Sequence, residues 1–569
     1  MLQPTSATRA THTSEEIDPL YYLHNFNQLI ESVCDNHADL LHEQDTQQLA
    51  LYRAQPQAAQ QLYVRLICRR AELFRRDKLN YPEIPDLDTA IDTLVDAELL
   101  ELNPALNPDQ LGALTTAPEL RKTLQAPSKL NKKQLISALR EKLEEISQDQ
   151  SKTEDALFPS AVWHSVLPQQ ILYPLGGDTV ERARLIYFGN LYQDLSEFVI
   201  TYLGHTRYEA YPLDKQTRPF QSKSEIDDYL ALKRLHILLE ETGTLDPAML
   251  STLIPTLLEP HDNQRLEHKR NRLIHYLGKL LERQKNYAEA ALLYATGTLP
   301  PNRERHIRCL FQHTEYEQAK THCIALQQTS MSVEEREFTN TFLPRIERKL
   351  GGPPVKAQKD QFPQQNLTLP DNGERVEMQV LAYYQQLGWQ GSWCENSLFN
   401  ALFALLFWHE IYAPLPGAFS HPFQQTPLDF RHADFCRRRQ TLFQARLTAL
   451  QHLQPSQLWP EVEHALNKHK EIANPFISWQ RLDIPALQAL CTQIPLTHLL
   501  KILEYFCFDI HGYRSGFPDL FLWRDTPSEY LLLEVKGPGD ALQASQKRWC
   551  RIFNETGIQY SLCWVEWEI

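Results

Sequence analysis

The sequence predicts a multidomain, predominantly α-helical chain that ends in an α/β domain, and three observations predict it. At 569 residues the chain is too long for one hydrophobic core. Apolar residues recur at helical spacing over most of it, almost continuously from about 205 to 350. Only toward the end does the pattern become two short apolar runs, Leu520 to Trp523 and Tyr530 to Leu533, with the polar turn Arg524 to Ser528 between them.

From the start, residues 1–18 are polar and expected to be disordered. Tyr21 to Phe74 carries two amphipathic helical patterns, one with Tyr22, Phe26, Leu29 and Ile30, the other with Leu62, Leu66, Ile67 and Phe74. Pro82 and Pro85 break the chain, and Leu87 to Leu100 reads as a further helix ending at Leu102-Asn103-Pro104. This order suits a helix-turn-helix or winged-helix unit, and equally a small helical bundle. Ser128 to Leu143 places leucines at 130, 135, 139 and 143 with lysines between them. It resembles a SAP motif, a helical hairpin that lays a basic face along duplex phosphates; the other reading is an ordinary amphipathic helix.

From 205 to 350 an irregular helical solenoid is expected. Asn286-Tyr287-Ala288-Glu289-Ala290 and Glu315-Tyr316-Glu317-Gln318-Ala319 resemble one another, each tyrosine three residues before an alanine small enough for close helix packing. Their spacing of twenty-nine is shorter than the tetratricopeptide period of about thirty-four. Gly351-Gly352-Pro353-Pro354 and the Gln- and Pro-rich stretch to Pro370 read as a linker. A separate unit then begins with a helix from Arg375 to Leu387, passes Gly388-Trp389 and Glu395, and enters the apolar helix Leu398 to His409. A last helix, Ala541 to Thr556, has Trp549, Ile552 and Phe553 as its core stripe and Gln546 and Lys547 toward a cleft.

Composition narrows the class. The 42% hydrophobic and 10% aromatic content is that of a folded chain. No run of eighteen apolar residues and no signal-peptide pattern is present, so a cytoplasmic location without a membrane partner is expected. Ten cysteines lie scattered with no C-x-x-C pair, which suggests reduced, mostly buried thiols rather than zinc fingers or disulfides. A net charge of −14 argues against a basic coat, so contact with nucleic acid must be local. One basic island exists: Arg121, Lys122, Lys129, Lys132, Lys133, Arg140 and Lys142 against the single acid Glu141. A second comprises Arg65, Arg69, Arg70, Arg75, Arg76 and Lys78. Each is either a phosphate-binding face or a solvated one.

The chemistry concentrates in the terminal hairpin. Gly516-Phe517-Pro518-Asp519 opens one strand, and Glu534-Val535-Lys536 closes the next, fifteen positions on. Strand side chains alternate, so Glu534 and Lys536 share a face while Val535 is buried on the other, and Asp519 enters from the neighbouring strand. Two carboxylates beside an ammonium can hold a divalent cation through oxygen, with the lysine next to the water or phosphate it activates. This is the PD…(D/E)xK pattern of metal-dependent nucleases.

In these residues the chain resembles the Fanconi-associated nucleases of bacterial type, whose C-terminal VRR-NUC domain has the restriction-endonuclease-like fold. The resemblance rests on Tyr21-Tyr22-Leu23-His24-Asn25-Phe26, Leu62-Tyr63-Val64-Arg65-Leu66, Gly388-Trp389 with Glu395, Arg514-x-Gly516-x-Pro518-Asp519, and Glu534-Val535-Lys536-Gly537. It implies that Asp519, Glu534 and Glu395 are metal ligands, with Glu395 contributed by the first helix of the domain, and that the Val535 carbonyl completes the shell. It also implies that Lys536 orients water or offsets charge on the transition state, that Gln546 positions water or phosphate, and that Arg514 holds a neighbouring phosphate. The implied cofactor is one or two Mg²⁺ or Mn²⁺ ions. The implied substrate is branched or flapped double-stranded DNA, cut by 5′-flap endonuclease and 5′-to-3′ exonuclease activity in DNA repair, including interstrand crosslink repair.

A counterpart of the zinc-binding ubiquitin module of animal members is not expected, since no C-x-x-C pair is present. Four regions are expected: a helical DNA-binding region over 1–110, a SAP-like DNA-binding region over 111–204 with Lys129, Lys132, Lys133 and Arg140 toward phosphates, tetratricopeptide-like helices and linker over 205–365, and the nuclease domain over 366–569. A Holliday-junction resolvase or restriction-like enzyme would share the triad. A non-catalytic helical scaffold that only binds DNA is the other alternative.

Overall fold

The computed structural model describes residues 19–147, 156–193, 195, 206–242, 254–354 and 359–568. The segment 1–18, expected to be disordered, lies outside them. Two compact units form, Met1–Tyr202 and Leu203–Ile569.

The first unit starts with α1 (Tyr21–Asn36), α2 (Glu43–Arg53) and α3 (Gln57–Ile67), followed by β1 (Phe74–Arg75), α4 (Leu87–Asp96) and β2 (Leu100–Leu102). Two patterns were expected over Tyr21 to Phe74; three helices form, and Phe74 leaves the helix for a strand. The missed helix, α2, buries Leu49 and Tyr52, too few apolar residues to stand out as a stripe. Strand β3 (Ile171–Pro174) lies between β1 and β2 and pairs antiparallel with both, Phe74 opposite Leu172 and Leu100 opposite Pro174. This three-stranded sheet joins residues on both sides of the expected division at 110, because the segment between β2 and β3 is an insertion with its own core.

In that insertion α5 (Pro108–Leu114) and α6 (Ala117–Leu124) pack on α7 (Lys132–Ser147). Leu111, Leu120, Leu135, Leu139, Leu143 and Trp163 close its core, with the Trp163 indole N–H donating to the Pro104 carbonyl at 3.0 Å. Asn131 caps α7 in reciprocal bonds with Gln134.

The second unit begins with α8 (Lys223–Thr242). Helices α9 (Gln264–Arg283), α10 (Tyr287–Ala295), α11 (Asn302–Gln312), α12 (Tyr316–Thr329) and α13 (Val333–Lys349) then stack in sequence. Ala290 and Ala319 are fully buried, as their small size at a close helix crossing requires. The separate nuclease unit expected after the linker is instead continuous with this stack. Val333 belongs to the nuclease core, its N–H donates to Asp509, and Arg548 pairs with Glu337 of α13 at 2.8 Å.

The expected linker also ends early. Gln364–Leu369 forms β4, an edge strand that runs parallel to β8 (Tyr560–Trp567). Its exposed outer positions are polar, which concealed it as loop. The sheet order is β4-β8-β7-β6-β5, with β5 Gln390–Trp393, β6 Leu520–Asp525 and β7 Ser528–Lys536. Strand β7 is antiparallel to β6 and parallel to β8. One face packs on α14 (Val376–Gln386) through Val380, Leu381, Leu520, Leu533 and Val535. The other packs on a large helical core that includes α15 (Ser397–Leu406), α16 (Leu496–Phe508) and α17 (Ala544–Thr556).

Candidate active site

The register of the β6–β7 hairpin sets Leu520 opposite Leu533, so Asp519 and Glu534 lie side by side where the strands end. Three restraints hold Asp519. Its backbone carbonyl accepts from the N–H groups of Cys394 and Glu395 at 2.9 and 3.1 Å. Its carboxylate accepts from the Val535 N–H at 2.9 Å. The preceding Phe517 is sandwiched between Phe399 and Trp549, at ring-centroid distances of 4.3 and 4.1 Å. Gly516 takes φ +90° and passes so close to Ser545 that a β-carbon would lie 2.6 Å from the Ser545 carbonyl carbon.

Glu534 is 1% exposed and Lys536 7% exposed, an unusual depth for either charge. The Lys536 ammonium pairs with Glu534 at 2.8 Å. Gln546 ties the site to α17: its amide oxygen accepts from the Gln543 N–H at the helix start, and its amide N–H donates to Glu534. Lys547 is exposed beside it. Burial, countered in part by the Val535 N–H and by Lys536, raises the Asp519 pKa to about 6. Burial and then the charge of Asp519 raise Glu534 to about 8. The two acids therefore resist ionising together unless a cation joins them.

Glu395 was expected on a helix. It occupies the turn between β5 and α15 with φ +42°, exposed, and its charge acts on both Asp519 and Glu534. The turn leaves its N–H aimed at Asp519, which a position inside α15 would not allow. Glu377, in the first turn of α14, also acts on Asp519 and was not anticipated. An acid in a first turn is ordinarily a response to the helix dipole, so the sequence carried no distinguishing signal. The donors gathered here are carboxylate oxygens, the set that hard divalent cations prefer.

The basic candidates fare differently. Lys129, Lys132 and Lys133 are exposed. Arg140 forms an ion pair with Asp109 at 3.0 Å, and Arg121 donates to the Leu130 carbonyl, so both brace the insertion. Of the second cluster, Arg65 pairs with Glu83, Arg75 with Asp77 and Glu119, and Arg76 with Asp88. Arg514 is half-buried near Phe476, and burial followed by the like charge of Arg431 lowers its pKa.

Among the described residues, His268, His432 and Asp434 bring metal-capable atoms within 4.8 Å of one another. The two imidazoles stack at 3.6 Å with only 25° between their planes, and His268 is bonded to Asp434 at 2.8 Å. A metal lies in the plane of each ligating ring, which near-parallel rings cannot satisfy together. The trio is a contact that fastens α9 to the nuclease lobe. No helix among the described residues is long and apolar enough to cross a membrane.

Known proteins are similar to this chain over nearly all of its length. The family model "FAN1, HTH domain" matches residues 20–101, and the VRR-NUC domain model matches residues 454–567. A Fanconi-associated nuclease 1 homolog from Pseudomonas aeruginosa is 32% identical over 564 residues, 97% of each protein. The Oryza sativa homolog is 23% identical, with 96% of this chain matching 62% of that protein. A crystal structure of paFAN1 bound to 2nt 5′ flap DNA with gap has 31% identity and a TM-score of 0.79, covering 98% of this chain and all of that one. By full-length similarity and by the geometry at its strand ends, the chain belongs to the Fanconi-associated nuclease family, and is a structure-specific DNA nuclease.

Proposed function

We propose that the protein hydrolyses phosphodiesters next to 5′ flaps and related branches in DNA, as endonuclease and as 5′-to-3′ exonuclease, and serves DNA repair including that of interstrand crosslinks. The observation that carries this reading is the pair of acids at the strand ends, Glu534 buried and Asp519 half-buried, with raised pKa values beside Lys536. The relative solved with a 5′ flap supports the choice of substrate.

Asp519, Glu534 and Glu395, with the Val535 carbonyl, would hold one or two divalent ions, Mg²⁺ or Mn²⁺. When bound, such ions polarise the phosphate and lower the pKa of water. Asp519 is fixed for this role by the Val535 N–H and by the Glu395 turn, and Glu534 by Gln546. The Lys536 ammonium, at 2.8 Å from Glu534, is free to turn to the phosphate once that carboxylate is engaged, and offsets the charge that builds on the phosphorus oxygens. Gln546 keeps the carboxylate in one orientation. The winged sheet, the exposed lysines of the insertion, and Arg514 supply phosphate contacts that orient the duplex without reading sequence. In this reading the chain comprises a winged DNA-binding region, its SAP-like insertion, a helical stack and the nuclease domain, acting in the cytoplasm at the nucleoid.

The test is cleavage of equimolar end-labelled 5′-flap, four-way junction and linear duplexes in Mg²⁺. Incision near the flap junction at the highest rate supports the proposal; preference for the four-way junction would make the protein a resolvase, and binding without incision a scaffold.

A further inference from the structure

The structure points to a substrate-positioning residue that the triad does not include: we propose that Trp393 stacks on a base or sugar of the DNA next to the cleaved phosphate, beneath the guanidinium of Arg375. The inference rests on the nuclease reading above.

Trp393 ends the edge strand β5, directly opposite Leu520, the residue after Asp519, and two positions before Glu395. Consecutive Cα atoms are at most about 3.8 Å apart, so Trp393 begins within about 8 Å of the Glu395 backbone. One strand of duplex advances about 3.4 Å per nucleotide. An indole at this place therefore reaches a nucleotide within about two of the scissile phosphate.

The residue is 43% exposed, while its strand partner Leu520 is fully buried in the core against α14. Met378, in the first turn of α14 and next to Glu377 in the chain, is 40% exposed. Arg375, the residue capping α14, sits 5.3 Å over the indole ring. Among the described residues Arg375 forms no ion pair, despite Glu374 and Glu377 near it in the chain. A flat apolar face with a cation over one side and the other side left for a ring, close in the chain to the acids Glu377 and Glu395, offers what a nucleotide's ring and phosphate require. Lone surface aromatics are common, and what separates Trp393 from them is this conjunction at the rim of the site.

The experiment places 2-aminopurine at successive positions on either side of the cut in a 5′-flap duplex. Fluorescence is recorded on binding in EDTA, and cleavage is then followed in Mg²⁺, for the parent, Trp393→Ala and Trp393→Phe. The expected result is a fluorescence change at one or two positions beside the cut that Trp393→Ala removes and Trp393→Phe largely keeps. In cleavage, Trp393→Ala should raise KM about tenfold with little change in kcat and spread the cut over neighbouring bonds, and Trp393→Phe should recover both. Thermal midpoints of the variants establish that they fold. Parent-like fluorescence, KM and cut position in Trp393→Ala would overturn this inference alone. Absence of cleavage by the parent would overturn the nuclease reading and this inference with it.

Discussion

The end of the nuclease sheet and the basic face of α7 both carry charge, but they hold it in opposite ways. Glu534 and Lys536 are almost wholly buried, with Glu534 fixed by Lys536 and Gln546 and its pKa driven upward. Lys129, Lys132 and Lys133 stand in water. A buried acid is a cost that folding tolerates when a ligand offsets it, whereas an exposed lysine costs nothing and can be replaced by its neighbour. On the proposed reading, chemistry rests on a few groups that cannot be exchanged and affinity on many that can.

The largest expected effect comes from breaking the buried side. Glu534→Gln keeps the shape and the Gln546 contact but removes a charge, and should cut single-turnover cleavage about a thousandfold or more while flap affinity stays within a few fold. Gln546→Ala, which frees the carboxylate without removing it, should cost about ten- to a hundredfold in rate. Equal losses in both variants would mean that Gln546 is more than a support.

The next effect is on pH and stability. Without metal, Asp519 and Glu534 keep protons to about pH 6 and 8, above their ordinary 3.8 and 4.5. Between the ordinary and raised values the folded protein binds more protons than the unfolded chain, so stability is present at low pH and is lost as pH rises through the raised values. The thermal midpoint in EDTA should therefore fall from pH 5 to pH 8, and saturating Mn²⁺ should recover the loss. A midpoint in EDTA that rises over this range would contradict the burial of the two acids as ionisable groups.

The smallest effect is on the exposed side. Removing Lys132 and Lys133 together should lower the slope of log affinity against log salt by about 2 and weaken binding to all DNA structures alike. Arg140→Ala should act mainly through stability, since its partner is Asp109. An unchanged salt slope in the lysine variant would remove α7 from the DNA-binding surface.

These regions also differ in how legible they were. Asp519, Glu534 and Lys536 could be assembled from the sequence because strand alternation and a short turn fix their relation locally. Gln546 followed from the spacing of the next helix. Glu395 was found through family resemblance, yet its turn, set by bonds to Asp519 more than a hundred residues away, was not foreseeable. The same non-local cause hid the edge strand Gln364–Leu369, whose partner is β8, and the pairing of Phe74 with Leu172 across the insertion. Among the basic residues, no local pattern marked Arg140, unlike Lys132, as the partner of an acid, because Asp109 lies on a different helix.

Pairing of the strand-end acids by a cation is tested most directly by calorimetric titration of the metal-free protein with Mn²⁺ at pH 7 in two buffers of different ionisation enthalpy. Binding of one or two ions with release of about one proton is expected, because Glu534 must give up the proton it holds to about pH 8, together with loss of that binding in Asp519→Asn. Undiminished Mn²⁺ binding by Asp519→Asn, or binding without proton release, would contradict it.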